Sequence, residues 1–180
     1  MLKITVVTKE ESFDEKKNEF IPPITVDLKM EHSLVSLSKW ESKWRKPFLS
    51  TSDKTDEEIL DYIKQMTVTQ NIKDEVFEKI SVKNIKYIEE YINSKMTATK
   101  ISSKNKKTSR QIITSELIYF WMISLNIPFE CQKWHLNRLL MLIDVCNVKN
   151  APPKKMSKKD IYSMNSRINE ARKAKYNTKG

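Results

Sequence analysis

Glycine is all but missing: the single one in 180 residues is Gly180. That excludes every phosphate-cradling loop built on glycine, the P-loop and the dinucleotide fingerprint included. It also removes the residue best suited to positive φ, so Asn, Asp and Lys must serve at turns and helix ends. Many tight hairpins are disfavoured, and helices joined by open or Asn-ended loops are favoured. Cysteine and histidine are almost as scarce, at two each. No CxxC or HxxxH spacing occurs, and a structural zinc site needs about four well-spaced ligands, so neither metal nor cofactor is expected. Long apolar runs are absent too. The longest, Leu117 to Phe129, is broken by Ser124, Asn126 and Pro128 and is too short to span a bilayer, so no membrane partner is expected. The start, MLKITVVTKE, lacks a signal-peptide core, and Cys131 and Cys146 read as reduced and buried rather than paired.

What the chain has instead is unevenly placed charge. Residues 149–180 hold ten basic side chains against two acidic ones, a net +8 of the chain's +10. The first 148 residues are close to neutral, with 23 basic and 21 acidic side chains. A near-neutral body with a cationic tail favours a binding protein whose partner is acidic.

Periodicity gives the elements. Leu2, Ile4 and Val6 alternate with polar neighbours, as do Ile24, Val26, Leu28 and Met30. Both stretches read as half-buried strands, separated by a charged loop from Glu10 to Glu19. Pro22 and Pro23 suggest an edge position. Such a ribbon is marginal alone and should pack on helices. Ser33 is placed to cap a helix carrying Leu37, Trp40 and Trp44 on one face and ending before Pro47. Further helices are expected from Asp56 through Met66, from Asp74 to Ile80, and after a cap at Asn84. Lys95 to Arg110 reads as a polar surface loop with a short strand at Thr97 to Ile101. Ser115 should cap a helix that is apolar on nearly every side and therefore central, stopped by Pro128. Trp134 to Asn147 is its partner. Ser157 then caps a basic helix with a thin stripe of Ile161, Met164 and Ile168.

Residues with chemical potential are few. Cys131 and His135 are four apart and could share a helical face as a thiol–imidazole pair, but no oxyanion-hole or third-group pattern accompanies them. A buried cysteine beside a hydrogen-bonded histidine is favoured, and no enzyme is expected. Trp40 and Trp44, flanked by Lys39, Lys43, Arg45 and Lys46, form the one aromatic–basic interleaving. It could stack bases, though packing of the helix is favoured. The tail could neutralise phosphates, dock helix-in-groove on an acidic protein, or be a solvated terminus.

Three segments together resemble a set of small tailed-bacteriophage proteins, the tail assembly chaperones. They are EHSLVSLSKWESKWRKPFL (Glu31 to Leu49), SELIYFWMISLNIPFECQKWHLNRLLMLIDVCN (Ser115 to Asn147) and PPKKMSKKDIYSMN (Pro152 to Asn165). The resemblance implies a non-enzymatic factor that coats tape-measure protein and recruits tail-tube subunits in the host cytoplasm. It also implies that KYNTKG is either a complete terminus or the point before a frameshifted extension. It carries over no ligand or catalytic residues.

The expected architecture is a mainly helical α+β fold. A β-ribbon (residues 1–30) and helices (33–148) form one globular domain, and a basic helical tail covers 149–180. The core is expected in the helical hairpin Leu117 to Val148. Partner-binding candidates are Trp40, Trp44, Arg45 and Phe48 in the body and Lys154, Lys155, Lys158 and Lys159 in the tail. The rival functions are a structural component of the phage tail or connector, and a nucleic-acid-binding phage protein.

Overall fold

The alternation at both ends of the first thirty residues folds as an antiparallel pair. In the computed structural model, which describes residues 1–101, 111–152 and 157–178, β1 (Leu2–Lys9) pairs with β4 (Ile24–Met30) in a register that sets Ile4 opposite Leu28 and Val6 opposite Val26. Ile4, Val6, Leu28 and Met30 point into the core, while Lys3, Thr5, Asp27 and Lys29 face out. The sheet packs on helices, giving the α+β architecture expected.

Two outer edges would invite pairing with another chain. Both are partly occupied. Asn84 Nδ2 donates to Thr5 O (3.0 Å) and Lys79 Nζ to Thr8 O (2.6 Å) on β1. On β4, Val68 N donates to Lys29 O (2.8 Å) and Lys29 N to Thr69 Oγ1 (2.8 Å).

The segment expected as a charged loop is a second ladder, β2 (Ser12–Asp14) with β3 (Glu19–Ile21), so residues 2–30 form one long hairpin with an irregularity after Val7. Asp14 Oδ1 accepts from the Lys16 and Lys17 N–H groups, and Asn18 takes φ 53°, closing the turn without glycine.

Serine and threonine cap the starts of most of the described helices. Ser33 caps α1 (Leu34–Trp44), Thr55 caps α2 (Asp56–Met66) and Ser81 caps α4 (Val82–Asn93). Thr114 caps α5 (Ser115–Ser124). The caps expected at Asn84 and Ser115 thus move upstream, to the residue whose hydroxyl reaches the N3 amide. The short α3 (Asp74–Glu78) lies between α2 and α4. Residues 97–101 form no strand, and 102–110 lie outside the described residues. A 3-10 turn (Phe129–Lys133) leads into α6 (Leu136–Asn150).

The expectation of a central α5 is corrected. Only Ser115, Ile118 and Met122 of α5 are buried, whereas Phe120 is 61% and Ile123 60% exposed. The core has two clusters. One joins the sheet to α2, α3 and α4 and includes Trp40; the other joins α5 and α6 and includes Leu34 and Leu37. Helix α1 holds the centre because it buries a different part of its surface in each. Glu41 ties the clusters further: its carboxylate accepts from Phe48 N (2.8 Å) and from Ser115 N (2.7 Å) at the start of α5. There it satisfies an amide that no intrahelical carbonyl could reach.

The chain divides into two compact units, Met1–Lys149 and Asn150–Gly180. The second is built on α7 (Lys158–Tyr176). Its start is capped by Ser157, which accepts from Asp160 N (3.1 Å), and its end by Asn177 at φ 53°.

Candidate functional site

The aromatic–basic interleaving of α1 is a packing device. Trp40 is fully buried, and its indole N–H donates to Glu58 O (2.8 Å). Trp44 is half-buried and donates to Asp61 Oδ2 (2.9 Å). Lys43 pairs with the same carboxylate and Lys46 with Glu58, so these cations bridge α1 and the turn after it to α2. The Lys46 ammonium and the Thr55 N–H hold the Glu58 carboxyl below its usual range. Phe48 stacks on Tyr62 (4.0 Å between centroids, 29°) and meets Trp40 edge-on. Of the four body candidates only Arg45 is exposed; it ends α1 in the left-handed region at φ 55°.

Cys131 and His135 do not form a reactive pair. His135 Nε2 donates to Tyr91 O (2.9 Å), which leaves Nδ1 to accept from Asn137 N (3.3 Å). Both ring nitrogens are therefore committed. Burial, with Glu130 nearby, pushes the Cys131 thiol up, away from the nucleophilic thiolate.

The two histidines, 103 positions apart, meet instead. Their rings lie 5.1 Å apart in an edge-on contact. His32 Nδ1 hydrogen-bonds Tyr62 Oη (2.6 Å), while His32 O accepts from Leu136 N (2.7 Å). Tyr91 in turn donates to Glu31 Oε1 (2.6 Å), whose other oxygen pairs with the N-terminal ammonium (3.0 Å). Burial first, and the neighbouring His135 second, lower the His32 pKa to about 3. Burial also lowers that of His135. These rings are neutral polar links at the seam between the two core clusters. Sequence spacing gave no signal for that meeting.

A groove of about 750 Å³ opens beside α6, floored by Trp121, Leu140 and Ile143 and edged by Lys95, Lys100 and Asp144. No group of three potential metal ligands occurs among the described residues. Among them, too, no helix is long and apolar enough to cross a membrane.

The exposed candidates lie elsewhere. No residue of α7 is buried, and Ile161, Met164 and Ile168 stand 40%, 43% and 40% exposed at i, i+3 and i+7. Six basic residues, Lys158, Lys159, Arg167, Arg172, Lys173 and Lys175, share the helix with Asp160 and Glu170. Among the described residues none of these cations lies within ion-pairing distance of a carboxylate. Lys154 and Lys155 lie outside the described residues. A second exposed feature, missed in the sequence, is the tip of the long hairpin. Phe13 and Phe20 sit directly opposite each other, rings 4.9 Å apart, with exposures of 47% and 71%. The available signal was two phenylalanines flanking the turn-forming run DEKKN.

Compared with known proteins, the chain matches no family model, no curated protein and no solved structure.

Proposed function

We propose that this chain is a non-catalytic binding protein that engages an acidic, helical protein through α7. Its particular form would be a tail assembly chaperone acting on phage tape-measure or tail-tube protein in the host cytoplasm. The observation that carries the binding reading is α7 itself. It is a doubly capped helix with an apolar stripe at helix-in-groove spacing and a net +4 charge, and none of it is buried. Leaving three apolar side chains exposed gains nothing for the stability of an isolated helix; covering them with a carboxylate-bordered groove does. The phage assignment is supported by the sequence resemblance alone.

The test is co-expression of the full chain with the tape-measure protein of its phage. The expected result is a complex that survives moderate salt, is lost in Ile161→Ser/Ile168→Ser, and leaves no copies in purified virions. Stoichiometric presence in the virion would instead select a structural tail component. The cations spread around α7 favour a second reading, phosphate binding. Steeply salt-dependent affinity for duplex DNA, unchanged by the stripe substitutions but weakened by Arg172→Ala and Lys173→Ala, would select that one.

A further inference from the structure

Two of the exposed apolar features, the hairpin tip and α7, carry opposite charge. The hairpin tip, residues 10–20, has Glu10, Glu11, Asp14, Glu15 and Glu19 against Lys16 and Lys17, a net −3. Helix α7 has a net +4. Each presents a compact apolar element amid its charges, the Phe13/Phe20 pair on one and the Ile161/Met164/Ile168 stripe on the other. An aromatic pair held across two strands offers a large apolar area for burial, and an i, i+3, i+7 stripe is the face by which a helix docks on apolar surface.

We infer that the chain self-associates head to tail, the acidic Phe13/Phe20 hairpin tip of one copy docking on the basic α7 stripe of a second copy. The surfaces are different patches, so the contact is heterologous and each copy keeps one free tip and one free helix. Association therefore extends beyond a dimer unless the geometry closes a ring. Few apolar side chains are involved, so the interface falls in the small, transient class. Its charges are solvent-exposed, so it weakens with salt. The inference rests on the reading of α7 as a docking helix and adds a partner that the chain itself supplies.

The decisive experiment is sedimentation velocity on the full-length chain, at concentrations from about ten to several hundred micromolar and at low and high salt. The wild type should gain mass with concentration and lose it with salt. A tip variant, Phe13→Ser/Phe20→Ser, and a helix variant, Ile161→Ser/Ile168→Ser, should each stay monomeric. Their equimolar mixture should form a dimer and nothing larger, because only one intact tip and one intact helix remain per pair. All four substituted residues are exposed, so unchanged thermal melts verify folding. If a melt does shift, charge exchange replaces the serine variants: Arg172→Glu/Lys175→Glu should abolish association, and adding Glu11→Lys/Glu15→Lys to the same chain should restore it. A wild type monomeric at every concentration, a single variant that still associates, or a mixture that stays monomeric would each overturn the inference. The tip variant should still capture the tape-measure protein. If self-association fails while capture persists, only the present inference falls, and the proposed function stands.

Discussion

Two segments of this chain combine lysine, arginine and large apolar side chains, and they do opposite things. In α1 and the turn that follows it the cations Lys43 and Lys46 are paired with Asp61 and Glu58, and Trp40 and Trp44 donate into the same helix α2. In α7 the cations have no carboxylate within ion-pairing distance among the described residues, and the stripe is exposed. What separates them is not residue type but the presence of a complementary element in the same unit. Helix α2 offers α1 acids and a buried face; among the described residues of its own unit α7 has no such companion. Substitutions in α1 should therefore register as lost stability, and those in α7 as lost binding.

The largest effect should come from Trp40→Ala. The side chain is wholly buried against Phe48 and the α2 backbone, and its removal opens a cavity no neighbour can fill. Urea unfolding should show a loss of about 3–5 kcal/mol, against no change for any exposed residue of α7. Glu41→Ala comes next. It strands the Phe48 and Ser115 amides that its carboxylate now satisfies, for about 2–4 kcal/mol in the same measurement. Glu41→Gln, which keeps one acceptor oxygen, should lose less. An equal loss in the two variants would mean that the charge rather than hydrogen-bond acceptance matters.

Acid should separate the units as well, since both histidines lie in the first. The His32 pKa is lowered from 6.5 to about 3 in the fold. The unfolded chain therefore binds more protons throughout that window, and stability falls as pH drops through it. From His32 alone the loss reaches about 2 kcal/mol by about pH 5, a range in which ordinary carboxylates remain ionised. His135, shifted the same way, adds to it. Melting temperature recorded from pH 7 to 5 should fall in the wild type and flatten in His32→Gln. A flat wild-type profile would show that the seam admits protons without strain.

The regular parts of this architecture were legible and the cross-connections were not. Strands β1 and β4 announce themselves because one face is buried and the other wet, so the period of two survives in the sequence. The β2–β3 tip does not, because three-residue strands with no buried side chain leave no alternation to read. Helix α5 misled for a related reason. Its uniformly apolar composition says that every side could be buried, while the fold buries one side and leaves Phe120 and Ile123 out. The staple at Glu41 and the His32–His135 contact were invisible because each depends on segments brought together over 74 and 103 positions. Nothing local marks a glutamate as the acceptor for another helix's first amide.

The scarcity of glycine leaves a trace that can be tested in the opposite direction. Four of the six described residues at positive φ are asparagines, the type best able to stand in, but Arg45 and Met96 hold the other two. A residue that carries a Cβ is disfavoured in the left-handed region by about 1 kcal/mol relative to glycine. Arg45 ends α1 there, with its N–H donated to Glu41 O (2.7 Å) and its side chain exposed. Arg45→Gly should raise stability by up to about 1 kcal/mol, offset in part by the greater freedom glycine gives the unfolded chain. A loss instead would mean that the exposed guanidinium contributes more than its position in the fold indicates.

The smallest effect on stability is the most informative for function. Met164 is the middle of the α7 stripe and 43% exposed, with no buried neighbour on its own helix. Met164→Gln keeps the length, the helix propensity and the charge, so far-UV dichroism and the melting temperature should not move beyond about 0.5 kcal/mol equivalent. Capture of the tape-measure protein should nevertheless weaken, because a polar amide would have to be desolvated in the groove that the thioether now fills. A melt that fell with this substitution would show that the stripe already serves the fold. Helix α7 would then belong with α1, as an element whose basic and apolar residues are spent on packing, and the contrast between the two segments would disappear.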